Sequence, residues 1–137
     1  MVSKEYTIGD VFPVIKSDEI TRVQLVKYAG ASGDFNPLHT VEEVGEKAGT
    51  GVIAHGMLIM GIASKGITTW FPRKKFKKFS VRFKEMTRPG ETIQITGKVV
   101  EVRNNHTLVG EVLASNLQNE VKMVGTFEID QSPNNET

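Results

Sequence analysis

Between Val52 and Ile67 the chain is apolar almost without interruption, within GVIAHGMLIMGIASKGITTW, and Met57 to Ile62 carry no charge. Such a run exceeds an ordinary strand and suits a helix buried on nearly all sides. A helix of about 14 residues rises about 21 Å, enough to cross a small domain as its central element. From Phe76 onward the pattern changes to strands. FSVRFK alternates Phe79, Val81 and Phe83 against Ser80, Arg82 and Lys84, and TRPG turns the chain. TIQITGKVVEVR, TLVGEVLASN and EVKMVGTFEI predict three further strands, joined at Asn104-Asn105 and near Gln118-Asn119. Gly97 falls in phase with Ile93 and Ile95, Gly110 with Leu108 and Val112, and Gly125 with Met123 and Phe127. A glycine on the core face of a strand marks a bend or the close approach of another element. Val99-Val100 breaks the alternation and predicts a bulge. The expected fold is therefore α+β, with an antiparallel sheet curled around a long central helix.

A chain of 137 residues with 39% hydrophobic content supports one well-cored domain, expected over residues 1–129, and is too short for two. The polar stretch DQSPNNET, 130–137, is expected to be a disordered tail. A net charge of +1 argues against wholesale nucleic-acid binding. Without cysteine there is no disulfide, thiolate metal site or thiol nucleophile, which fits a cytoplasmic protein. The three histidines lack metal-ligand spacing, so no metal is expected. MVSKEYTIGD has no apolar run of signal length, and no segment reaches about 18 consecutive apolar residues, so secretion and membrane spanning are disfavoured.

The N-terminal half carries the chemistry. Tyr6 to Lys16 predicts one or two short extended pieces. Thr21 and Gln24 form a capping box for a helix running to about Ala29 and stopping at Gly30, with Ile20 stapled on Leu25. Then comes YAGASGDFNPLHT, Tyr28 to Thr40, in which Pro37 holds Asn36 out of the helical region and Gly33 frees the backbone before Asp34. Asp34 and His39 sit five positions apart in this turn. Both can be in their basic forms at neutral pH and both can hydrogen-bond one water, which is equipment for adding or removing water. The plainer reading is that Asp34 braces or caps the turn, since these residue types are common turn formers. Thr40 and Glu43 predict a second capping box, with a short helix from Val41 that ends before Gly49. His39 would then lie at the positive end of that helix, where the macrodipole disfavours imidazolium. At His55-Gly56-Met57 the long helix would begin with free N–H groups, and Gly56 has no side chain to block a ligand. His55 reads as a loop or helix-start residue rather than a catalyst.

Tyr28, Ala29, Ser32, Gly33, Asp34, Asn36, Pro37 and His39 together resemble the signature of the MaoC-like, (R)-specific enoyl-CoA hydratase family, which has a hot-dog fold. The similarity covers about Thr21 to Phe83 and then a generic strand-rich half. It departs at Val41, where the family often has Asp or Asn, and at Gly45, where it often has Ala or Ser. The resemblance implies a hydro-lyase of fatty acid metabolism that hydrates trans-2-enoyl-CoA to the (R)-3-hydroxyacyl thioester, or runs the reverse. Asp34 and His39 would activate the water, the Gly56 N–H would hold the thioester oxygen, Asn36 would brace the loop or the acid, and Ser64 would hydrogen-bond near the acid. Read without the family, Ser64 is a small residue that allows close packing. Met57, Met60, Trp70 and Phe71 are candidates to shape an acyl tunnel. No cofactor is implied beyond coenzyme A as part of the substrate, an acyl carrier protein could replace it, and the family usually forms homodimers.

Arg73, Lys74, Lys75, Lys77 and Lys78 form a basic cluster. It can be a solvated edge that discourages strand pairing, or it can attract coenzyme A phosphates. Phe76 and Phe79 interleave with the lysines, but as core-facing strand residues they do not suit nucleic-acid stacking. Two other functions stay open: a hot-dog acyl-CoA thioesterase, and a non-catalytic acyl-CoA binding or sensor protein.

Overall fold

The structure is a computed structural model and describes residues 6–103 and 106–131. The expected turn at Asn104-Asn105 and residues 132–137 of the expected tail lie outside the described residues. Five antiparallel strands form one sheet: β1 (Ile15–Glu19), β2 (Lys75–Phe83), β3 (Thr92–Val102), β4 (Thr107–Ser115) and β5 (Val121–Asp130), in the spatial order β1-β3-β4-β5-β2. The last strand thus takes in Asp130, one residue of the expected tail. Three α-helices precede most of the sheet in sequence: α1 (Arg22–Ser32), α2 (Glu42–Ala48) and α3 (Gly56–Trp70). The helix laid against a curled antiparallel sheet is the hot-dog arrangement.

Close approach of helix and sheet is written into glycine. On α3, a Cβ at Gly66 would stand 3.1 Å from Ile95 Cγ2, so the helix backbone rests directly on the Ile95 side chain of β3. At Gly110 of β4 a Cβ would fall 2.2 Å from the ring of Phe127, its partner on β5, so the outer end of that ring covers the glycine. The bulge expected at Val99-Val100 is present: Val99 pairs with Gly110 and Glu101 with Val109, which leaves Val100 over.

The central helix begins where expected, at Gly56, after Val52 to His55 thread as a loop into the core, where Val52, Ala54 and His55 are buried. It departs from the sequence reading in that α3 is covered on one side only. Ile59, Ala63, Gly66, Ile67 and Trp70 face the sheet, while Met57, Gly61, Lys65 and Thr68 are exposed. Trp70 and Phe71 pack with Phe12 at the far end of the helix, and the Trp70 indole donates to the Pro13 carbonyl at 2.7 Å.

Three boundaries shift for local reasons. Helix α1 passes through Gly30 and ends at Gly33, whose φ of +78° supplies the left-handed cap and whose N–H bonds the Ala29 carbonyl. Tyr28 to Ser32 are therefore helix, and the turn is only Gly33 to Asn36. The start of α1 is as expected: Thr21 Oγ1 accepts the Gln24 N–H at 3.1 Å, and Ile20 and Leu25 are both buried. Thr40 does not cap α2, because it closes a 3₁₀ turn over Pro37–His39 with its N–H on the Pro37 carbonyl. Val41 is the N-cap without a side-chain bond, and Glu42 and Glu43 face the helix dipole instead. At the N-terminus Val11 makes an isolated bridge to Lys98, and β1 continues to Glu19, past Lys16.

Candidate active site

Gly45 begins the construction of the site. It is buried on α2, and a Cβ there would lie 2.3 Å from the carbonyl carbon of Gly51. Glycine lets the 49–52 loop close onto the helix, where the Thr50 and Gly51 N–H groups both bond the Gly45 carbonyl. This accounts for the departure at Gly45: the short helix forms, and alanine does not fit it. The loop then delivers the Ile53 carbonyl to His39 Nδ1 at 2.9 Å. A carbonyl oxygen only accepts, so Nδ1 carries the proton and Nε2 of the neutral ring presents a lone pair.

The acid is set by the turn. Asp34 Oδ1 accepts the Asn36 N–H at 3.2 Å, and Asn36 Oδ1 accepts the Leu38 N–H at 3.1 Å, so Asn36 braces both the acid and the 3₁₀ turn that carries His39. Asp34 Oδ2 then lies 3.8 Å from His39 Nε2. That is too long for a direct hydrogen bond and suits one bridging water. The carboxylate is half exposed and the imidazole nearly buried. The pair is therefore open to solvent from the acid side.

His39 and Gly56 share a cavity of about 280 Å³, whose other walls include Ile59, Phe83, Met86 and Lys122. Gly56 is the first residue of α3, and His55, the N-cap, makes no side-chain capping bond. The leading N–H groups of α3 thus have no side-chain acceptor. Phe83 was expected to point into the core with Phe79 and Val81. It stands instead at the end of edge strand β2, half exposed, with its ring 3.2 Å from where a Gly56 Cβ would be. It is a wall of the cavity that alternation alone assigned to the core.

The opposite wall is held by Lys122. Its register on β5 is a bulge, which turns the side chain inward, and it is 1% exposed. Nζ donates to the Met86 carbonyl at 2.7 Å, lies 2.9 Å from Glu91 Oε1, and pairs with Glu120. Burial raises the Glu91 carboxyl, but the Arg88 N–H, the Asn116 amide and the Lys122 ammonium outweigh it and hold the group below its ordinary value. The knot pins the 84–91 segment, and the Thr87 carbonyl of that segment takes the Ala54 N–H at 2.7 Å. Nothing in the sequence singles out Lys122, because a bulged lysine in a strand reads as an outward-facing charge.

Several expected residues lie elsewhere. Ser64 is two turns along α3 from Gly56, about 12 Å in rise, and makes no bond to Asp34 within this chain. Arg73, Lys74, Lys75, Lys77 and Lys78 sit at the C-terminal end of α3 and the start of β2, away from the His39 cavity. Strand β2 is a sheet edge, Lys77 is its bulged residue, and Lys77 Nζ donates to Thr107 Oγ1 at 2.9 Å. Charge and a bulge there discourage pairing at an edge, and a coenzyme A phosphate would in any case stand a pantetheine arm away from the thioester. None of Met57, Met60, Trp70 or Phe71 lines the cavity.

His55 is the residue sequence reasoning set aside. It is 2% exposed, its ring stacks on His39 at 3.8 Å, and its Nε2 lies 3.1 Å from the Asp34 carbonyl. Asp34, His39 and His55 bring one donor atom each within 4.8 Å of the others. The two rings are nearly parallel, with 22° between planes, so their in-plane lone pairs do not converge on one ion. One nitrogen of each ring is already committed to a carbonyl. The set suits a bridged water better than a metal ion. Its cost is the His55 Nδ1, the single buried side-chain polar atom without a partner among the described residues, at about 1–3 kcal/mol.

Comparison with known proteins agrees with this fold. The model of the "MaoC like domain" family matches residues 3–121. A probable enoyl-CoA hydratase 2 of Dictyostelium discoideum is 40% identical over 75 residues, 52% of this chain and 26% of that protein. The fatty acid synthase subunit beta of Gibberella zeae is 30% identical over 112 residues, 79% of this chain and only 5% of that protein. The chain thus spans a small part of the curated relatives it matches. Among solved structures, the R-hydratase PhaJ1 from Pseudomonas aeruginosa superposes with a TM-score of 0.83 at 24% identity, over 92% of this chain and 82% of that one. The (R)-hydratase from A. caviae involved in PHA biosynthesis gives 0.83 at 18%, over 93% and 98%. No helix among the described residues is long and apolar enough to cross a membrane. With the family's model matched over most of its length and the hot-dog fold in place, the chain belongs to the MaoC-like domain family.

Proposed function

We propose that the protein is a hydro-lyase that reversibly hydrates a trans-2-enoyl thioester of coenzyme A or acyl carrier protein to the (R)-3-hydroxyacyl thioester. One observation carries this reading: Asp34 Oδ2 and His39 Nε2 stand 3.8 Å apart, and the far nitrogen of His39 is fixed on the Ile53 carbonyl. In the hydration direction a water held by both groups attacks C3 of the enoyl chain. One proton leaves the water for the pair and one is delivered to C2. The leading N–H groups of α3 at Gly56 take the negative charge that develops on the thioester oxygen. Proton transfers of this type contribute about 10²–10⁴-fold. Family membership and the chemistry of the pair support the reaction class. The name of the D. discoideum relative supports the enoyl-CoA substrate.

The test is the loss of crotonyl-CoA absorbance, wild type beside Asp34→Asn and His39→Ala. Both substitutions should cut the rate by about a hundredfold or more. Absence of decay in the wild type, repeated with a longer enoyl chain, refutes the reading. Release of free thiol instead makes the protein a thioesterase, and tight binding of the thioester without turnover makes it a sensor. We assign the exposed α3 face, Met57 and Gly61 included, to a second copy of the chain; a stable monomer by light scattering at micromolar concentration refutes that assignment.

A further inference from the structure

We infer that His55 is the positioning residue of the site, a single buried imidazole that holds the acid-bearing turn and the catalytic histidine in one geometry. The inference rests on the assignment of Asp34 and His39 as the water-binding pair. Three observations meet at this ring. The Asp34 backbone carbonyl can only accept, so the 3.1 Å contact requires a proton on His55 Nε2. That N–H is a tether on the residue that carries the acid, 21 positions earlier in the chain. The face of the same ring supports His39 at 3.8 Å, which limits rotation of His39 about the axis that its Nδ1 bond to Ile53 leaves free. Tyr28 closes the other side, edge to face at 4.8 Å.

A residue that only filled this space would be apolar. Histidine leaves Nδ1 buried without a partner, a penalty phenylalanine or leucine would not carry. What histidine offers in return is an N–H at one end of a flat ring, so that one side chain can tether the turn and stack on His39. His55 also N-caps α3, and its own carbonyl accepts the Leu58 N–H at 3.1 Å. The residue that orients the acid and the base is therefore also the residue before Gly56. A shift of His55 would displace all three parts of the site together.

Two substitutions separate its two contacts. His55→Phe keeps a ring face for His39 and loses the N–H to Asp34; His55→Gln keeps an amide donor and loses the ring. Each should lower kcat with crotonyl-CoA at least tenfold, with KM changed less than threefold, because the substrate still finds its walls while the water is misplaced. A folded variant of either kind with kcat within twofold of wild type overturns the inference. Nitrogen-15 NMR of the histidine rings in the wild type needs neither substrate nor variant. The expected tautomers are Nε2–H for His55 and Nδ1–H for His39. A proton on His55 Nδ1 with a bare Nε2 abolishes the tether and overturns the inference, even if the variants do not fold. A wild type that holds these tautomers but turns over no enoyl thioester would refute the hydratase reading and leave the role of His55 in the site's geometry standing.

Discussion

Replacing Gly45 with alanine sets two effects of opposite sign against each other. In a helix interior the change is normally favourable by about 1 kcal/mol, because glycine loses more backbone freedom on folding. Here the new methyl would stand 2.3 Å from Gly51 C, 2.5 Å from Gly51 O and 2.6 Å from Val52 N, all backbone atoms. Ordinary contact begins near 3.4 Å, so the carbonyl carbon must retreat by about 1.1 Å. Overpacking of this kind costs about 1–3 kcal/mol, and the Thr50 and Gly51 bonds to the Gly45 carbonyl are worth about 0.5–1.5 kcal/mol each. Strain wins. The net loss should be about 2 kcal/mol, a fall of about 6–10 °C in Tm for a domain of this size. The same retreat moves the Ile53 carbonyl away from His39, and a misplacement of about 1 Å costs about a hundredfold in rate. The assays are calorimetry and the crotonyl-CoA absorbance decay. Gly30→Ala is the control: it lies in α1 with nothing within 4 Å, so it should stabilise by about 1 kcal/mol and leave activity alone. A Gly45→Ala protein as stable as the wild type, with kcat within threefold, refutes the account of how the loop is held.

Three more expectations can be checked in denaturant melts. Lys122→Met leaves Glu91 without its buried cation and the Met86 carbonyl without its donor, and should destabilise by about 3 kcal/mol; a loss under about 1 kcal/mol means the knot is not holding the 84–91 segment. The Glu91 carboxyl is held below its ordinary value when folded, so its stabilising contribution is full above the unfolded value of 4.5 and is lost as pH falls through the folded one. Unfolding free energy should drop on acidification below pH 4.5, and Glu91→Gln should flatten that slope; an unchanged slope assigns the drop to other carboxylates. Thr21→Ala removes the N-cap acceptor of the Gln24 N–H and should cost about 1 kcal/mol, and no loss would mean that α1 is held by Ile20 and Leu25 alone.

Local chemistry is legible in one dimension, and the sequence by itself determined what depends on it. Strand alternation placed Gly97, Gly110 and Gly125 on the core face and located the bulge at Val100, because the strand period is fixed at two. Thr21 announced its helix because a cap is satisfied within three residues. Asp34, Asn36 and His39 are near neighbours in a turn braced by its own side chains, so their meeting followed from spacing and turn chemistry. Where two neighbouring signals competed, the sequence could not choose. Gly30 and Gly33 both offer a helix stop, and the choice fell to the one with positive φ.

Tertiary structure decided whatever depends on residues distant in the chain. The Ile53 carbonyl that sets the proton of His39 arrives by way of Gly45, whose missing Cβ matters only because the Gly51 backbone lies on it. Phe83 became a cavity wall because β2 ends beside Gly56, and Lys122 turned inward because a bulge rotates it toward Met86 and Glu91. The basic cluster stands apart from the cavity because α3 runs its full length between them. His55 shows the division most plainly. From sequence it is a residue before a helix, and only the packing of α1, the turn and α3 against one another sets its ring on His39 and its N–H on Asp34. A hydrogen bond or a stack is fixed by distance and direction in space, and over separations of 16 or 21 residues the order of the chain specifies neither.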